Sequence, residues 1–215
     1  MRRLEYLSCI FAVTALTLNA QSDSSYQIRY AANVTLGDSL INLTNTGAHG
    51  SPLNGPGIGG PVGNLCINAY AFSPDEQLIA CCSCLVTPNG LASLSIVNDL
   101  IYNTLTGIRP NSVVVKLLST AAGANYNGSS CTNSAALAGS GDFPTSSGML
   151  AWGTTIHGAT GSAPASVTES GFTPATLSGT ELTSITGRCA YIIGNGSSYG
   201  ICRSCRLGGL VSSRL

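Results

Sequence analysis

The 215-residue chain sets nine Lys and Arg against nine Asp and Glu and carries no formal net charge at neutral pH. Charged residues are only 8% of it, against roughly 25% in an ordinary soluble protein, so its surface must be built from Ser, Thr, Asn and Gly. Such a surface neither steers polyanions nor repels copies of itself, which excludes nucleic acid as an expected partner and favours self-association or contact with an envelope or matrix partner.

Residues 1–20 read as a signal peptide: Arg2 and Arg3 precede an apolar run over 9–18, and Ala20 supplies the small residue before a cut at Gln21. The run is too short for a transmembrane span, which needs about 20 apolar residues. No second candidate follows, because the apolar stretch 112–118 is interrupted by Lys116. The expected product is a secreted β-rich domain, 21–215, in the extracellular space, envelope or periplasm, with no transmembrane segment.

Alternating apolar and polar residues predict strands over 26–36 and 39–44, broken at Gly37 and Asp38. A flexible Gly/Pro loop is expected over 45–63, then a strand over 65–72, a turn over 73–77 and a strand over 78–86. Thr87, Pro88, Asn89 and Gly90 make a strong turn signal, after which 91–96 is expected as the third strand of a meander. Asn98 is placed to cap a short helix to Leu105, and the β-branched run 112–118 reads as a buried strand. A small-residue loop over 126–147 holds Cys131, and strands are expected over 149–156 and 166–172. Ser178 and Glu181 form a capping box for a final helix, with Leu182, Ile185, Cys189 and Ile192 at helical spacing and Gly194, Asn195 and Gly196 as its stop. The sum is a mainly β, disulfide-stapled sandwich-like domain with two short helices, ending in a helix and C-x-x-C tail over 178–215.

Nine cysteines are present; Cys9 lies in the signal peptide, leaving Cys66, Cys81, Cys82, Cys84, Cys131, Cys189, Cys202 and Cys205. An even set in an exported chain is a disulfide framework. On a strand Cys82 and Cys84 share one face and Cys81 takes the other, so Cys81 and Cys82 need different partners. Cys189 and the Cys202/Cys205 tail are placed to staple the C-terminus to this strand. Spacing does not fix the pairing.

The C-x-x-C at Cys202 and Cys205, flanked by arginines, matches redox spacing, giving thiol-disulfide exchange as the alternative function, although a βαβ context is missing. No second metal-ligand pair exists, so no metal or cofactor is expected. Gly196-Ser-Ser-Tyr-Gly200 satisfies G-x-S-x-G, yet it follows a helix and precedes neither acid nor histidine. Gly55-Pro-Gly-Ile-Gly-Gly60 satisfies G-x-G-x-x-G without a flanking strand and helix. The histidines are His49 in a loop and His157 at a strand end, and Asp75 and Glu76 sit in a turn. A secreted carbohydrate-binding or hydrolytic domain, the second alternative, predicts a concave pocket gathering His157, Trp152 and an acid. Asn33, Asn42, Asn127 and Asn195 head N-x-Ser/Thr triplets.

Val86-Thr-Pro-Asn-Gly-Leu, Leu150-Ala-Trp-Gly-Thr-Thr, Phe172-Thr-Pro-Ala-Thr-Leu-Ser and Gly200-Ile-Cys-Arg-Ser-Cys-Arg-Leu-Gly-Gly-Leu resemble stretches of exported, cysteine-rich proteins of acidobacterial type, from Leu40 to the C-terminus. The resemblance implies export and the absence of host glycosylation, and it assigns no catalytic residue. The leading expectation is a non-enzymatic structural or interaction protein that displays a neutral surface or strand edges to copies of itself or a matrix partner. The segment 21–36 is a candidate for strand donation to a neighbour, against its alternative as a strand of its own domain.

Overall fold

The computed structural model describes residues 24–52, 62–121, 130–159, 165–203 and 205–207. The signal peptide with Cys9, the glycines at 55–60 and the triplet at Asn127 lie outside the described residues. The strands are β1 (Tyr26–Ala31), β2 (Leu40–Asn45), β3 (Leu65–Phe72), β4 (Leu78–Val86), β5 (Leu91–Ser95), β6 (Val113–Ala121), β7 (Met149–His157), β8 (Ser166–Gly171), β9 (Thr173–Pro174) and β10 (Arg206–Leu207). They form two five-stranded sheets of order β4-β3-β6-β1-β9 and β10-β5-β2-β7-β8, antiparallel throughout. The helices are α1 (Ser134–Leu137), α2 (Gly179–Gly194) and a π-helical turn, Ile96–Leu100.

Strand alternation sorts the side chains into two cores. Ile67, Ala69, Ala71, Val115 and Leu117 of the first sheet meet Ile41, Leu43, Ala92, Leu94, Met149 and Ala151 of the second, all buried. On the other side of the first sheet, Tyr26, Tyr70, Phe72, Cys81 and Leu118 are covered by Ile185, Cys189 and Ile192 of α2 and by Ala135 of α1. Ser178 caps α2 as expected and accepts from the Glu181 amide, while the Glu181 carboxylate, the other half of the expected capping box, pairs with Lys116. β3 is therefore buried along its whole length, because both faces of its sheet are covered.

The β1 side of the sandwich is joined by polar groups. Gln27 Nε2 donates to the Met149 carbonyl at 2.9 Å. Arg29 Nη1 donates to the Ser170 carbonyl at 2.9 Å and Nη2 to Thr155 Oγ1 at 2.7 Å. Burial lowers the pKa of this guanidinium, while Glu169 acts in the opposite sense. Arginine nevertheless remains charged, and its hydrogen bonds span the two sheets. Its shaft crosses Gly153, where a Cβ would fall 2.6 Å from Arg29 Nε and 2.8 Å from Cδ.

Several elements differ from the sequence expectation. The first strand stops at Ala31, since Asn33 takes a left-handed φ of 58°, and β1 pairs within its own chain with β6 and β9, the alternative to strand donation. The turn after β4 has Asn89, rather than Gly90, at positive φ (60°), closed by the Gly90 amide on the Thr87 carbonyl at 2.8 Å. That turn carries the chain into the other sheet, where β5 pairs with β2 and β10, so no meander forms. The helix expected from Asn98 to Leu105 is replaced by the π-helical turn, capped by Ser95, whose hydroxyl accepts from the Asn98 amide. Asp38 also accepts there, from the Val97 amide at 3.0 Å and Asn98 Nδ2 at 3.1 Å.

Two consequences are measurable. Gly153→Ala should lower stability by about 1–3 kcal/mol through overpacking against the anchored Arg29. In a denaturation double-mutant cycle with Arg29→Ala, the penalty should shrink; an additive cycle contradicts the contact. Burial raises Tyr26 to about 12 from the ordinary 10.0, assisted by Glu181, and raises Tyr70 more strongly, assisted by Tyr26. The neutral phenols thus contribute stability that is complete below pH 10.0 and lost as pH rises through about 12. Phenolate absorbance followed beside circular dichroism should show two tyrosines, Tyr26 and Tyr70, ionising only as the fold is lost.

Candidate functional site

The cysteines form four bridges: Cys66–Cys131, Cys81–Cys189, Cys82–Cys202 and Cys84–Cys205, with Cα separations of 5.5, 5.9, 5.6 and 5.6 Å. β4 points Cys81 toward α2 and Cys82 and Cys84 toward the C-terminal segment, as alternation requires. Cys202 and Cys205 thus each bond to a strand cysteine and not to one another, which is not the arrangement of an exchangeable C-x-x-C disulfide. The Cys81 amide donates to the Gly200 carbonyl at 2.9 Å and Cys81 pairs in parallel with Ile201, so the tail also covers part of the β4 edge.

Beneath α1 the first sheet is sealed by polar groups as well as apolar ones. Asn68 Nδ2 donates to the Leu118 carbonyl at 3.0 Å, Ser83 Oγ donates to Asn68 Oδ1 at 2.7 Å, and the Ala135 amide donates to Ser83 Oγ at 2.9 Å. Tyr70 Oη completes the chain by donating to the Ala135 carbonyl at 2.7 Å. These buried groups are satisfied within the fold and are structural.

The remaining sequence candidates do not assemble into a catalytic centre. His157 and Trp152 lie five positions apart on unbroken β7 and so face opposite sides of its sheet; the pocket expected to gather them with an acid does not form. His157 Nε2 bonds Thr168 Oγ1 at 2.9 Å, and His49 Nε2 bonds the Ser147 carbonyl and Ser146 Oγ, both at 3.0 Å. Ser198, the would-be nucleophile of G-x-S-x-G, has a left-handed φ of 62°, but its carbonyl accepts from Asn103 Nδ2 at 3.1 Å and its turn delivers the chain to the bridge at Ile201. Asp75 bonds Ser73 within its turn. Among the described residues no group of three or more His, Cys, Asp or Glu is placed to hold a metal ion, and no helix is long and apolar enough to cross a membrane.

A shallow cleft of about 410 Å³ lies between α2 and the β3–β4 turn. Lys116 crosses it to pair with Glu181, its ammonium 4.6 Å from the centre of the Phe72 ring. The pair consumes the charge of both groups and ties α2 to β6, a structural role.

What remains open is the outer face of the second sheet. Leu40, Asn42 and Thr44 of β2, Leu91 and Ser93 of β5, and Leu150, Trp152, Thr154 and Ile156 of β7 alternate with buried residues and point outward. No described helix packs over them. Leu40, Leu91 and, on β8, Val167 are 43%, 40% and 63% exposed, whereas the corresponding face of the first sheet is covered by α1 and α2. Only one charged side chain, Glu169, is described on this open face, and it accepts from Asn42 Nδ2 at 3.2 Å. Asn42, Ser93 and Glu169 were not marked as site residues by sequence reading. Strand alternation places Asn42 outward, but it does not tell which outward face is left uncovered.

No protein-family model, curated protein or solved structure matches this chain. Alkylation without reduction followed by peptide mapping should find all eight cysteines beyond residue 20 blocked and linked in the four pairs above. Label on Cys202 and Cys205, or a link between them, would contradict the arrangement.

Proposed function

We propose that this is an exported, non-enzymatic interaction protein that docks a neutral partner of the envelope or matrix, or copies of itself, on the outer face of its second sheet. The observation that carries the reading is the asymmetry of the sandwich: one outer face is sealed by helices and flanked by bridges, while the other carries partly exposed Trp152 among half-buried small polar side chains, with Leu40, Leu91 and Val167 exposed. Aromatic anchors with a polar rim are the composition of a binding surface. Four disulfides suit an oxidising compartment outside the cytoplasm, in keeping with the charged start and apolar run of residues 1–20 and with the likeness to exported cysteine-rich proteins. The low charge of the chain leaves little repulsion to oppose association.

The test is fractionation of the host envelope after expression of variants. Trp152→Ala should move the protein from the envelope-bound to the soluble fraction, with its circular dichroism unchanged. Tyr191→Ala, at an exposed position of α2 (68%), should leave the distribution as in the parent. The reverse pattern would place the docking surface on the helical side and end this reading.

A further inference from the structure

Across the open sheet Ser93, Asn42, Trp152 and Gly171 form one row, since each is the register partner of the next. Glu169, opposite Thr154 on β8, is the diagonal neighbour of Trp152, at roughly 7–8 Å for such pairs. Ser93 Oγ donates to Asn42 Oδ1 at 2.8 Å, and Asn42 Nδ2 donates to Glu169 Oε1 at 3.2 Å. The amide is held at both ends: turned over, it would set its oxygen against the carboxylate. A fixed hydroxyl, amide and carboxylate chain therefore borders the chain's single tryptophan, on a flat surface.

We infer that this row binds the pyranose units of a neutral polysaccharide, Trp152 receiving the C–H face of a sugar ring and Glu169 with Asn42 receiving its rim hydroxyls. The inference rests on the reading of this face as the docking surface. Three features select the ligand class. The indole offers an apolar, electron-rich face to polarised C–H groups. The carboxylate accepts hydrogen bonds only, and the amide does both, which complements hydroxyl donors and acceptors. An apolar protein hot spot seated on Trp152 would strip water from the Glu169 carboxylate and offer it no donor in return, a costly arrangement, whereas a sugar keeps that carboxylate hydrogen-bonded. An open sheet also suits an extended chain better than an enclosed small molecule.

The exported protein should be titrated with cello-, chito- and malto-oligosaccharides, reading emission, which belongs to Trp152 alone, and heat by calorimetry. The expected result is a saturable emission shift with at least one series. Trp152→Ala should abolish the heat, and Glu169→Gln should weaken binding by about tenfold, with circular dichroism unchanged in both. Binding retained by Trp152→Ala, or no saturable signal with any series, overturns the glycan assignment. If the sugars fail while Trp152 emission shifts with protein concentration or with an envelope protein fraction, the docking face stands and the ligand class falls. If none of these moves Trp152, both fall.

Discussion

The rest of the structure depends on one strand being bonded on both of its faces. β4 (Leu78–Val86) carries three cysteines, and the two-residue period of a strand sends Cys81 to α2 and Cys82 and Cys84 to the C-terminal tail. The three bridges span sequence separations of 108, 120 and 121 residues, so they close long loops of the unfolded chain. In the loop-entropy account each contributes typically about 2–4 kcal/mol, against a net domain stability of about 5–15 kcal/mol. Cys66–Cys131 adds a fourth tie, drawing the segment before α1 onto β3. All four bridges fasten elements to the first sheet.

The consequence for function is positional. Because α1 and α2 are both held on the first sheet, the second sheet keeps its outer face, while the tail, bonded to β4 through Cys82 and Cys84, runs on into β10 at the edge of the second sheet. The same residue types then do opposite work on the two sides. Asn68, Ser83 and Thr120 are enclosed under α1, and their hydrogen bonds are spent on holding it. Asn42, Ser93 and Glu169 hold one another and stay at the surface. Fixed polar groups beside a partly exposed aromatic ring are organised before any partner arrives, so docking need not immobilise them.

Much of the fold was legible in the sequence because alternation and capping are local. The bounds of β3 and β4 follow from their periodicity and from the turn at 73–77, and α2 follows from Ser178, Glu181 and its apolar spacing. The opposed directions of Cys81 and Cys82 were legible for the same reason. What was not legible is tertiary. The turn at Pro88 and Asn89 reads alike whether the chain returns to the same sheet or crosses to the other. The π-helical turn draws on Asp38, remote in sequence from Ser95, so Asn98 was taken for the cap. The burial of Arg29 between the sheets depends on Gly153, Thr155 and Ser170, which only the register brings together. The candidate site was legible in its parts, as Trp152 on a strand, but not in its location, which depends on where the helices settle.

The most direct test of this account is hydroxyl-radical footprinting of the protein on the envelope, compared with the free protein. The account predicts protection of Trp152, Leu40, Leu91 and Val167, with Tyr191 on α2 as reactive as before. Protection centred on Tyr191 and Tyr199, with Trp152 unchanged, would contradict it.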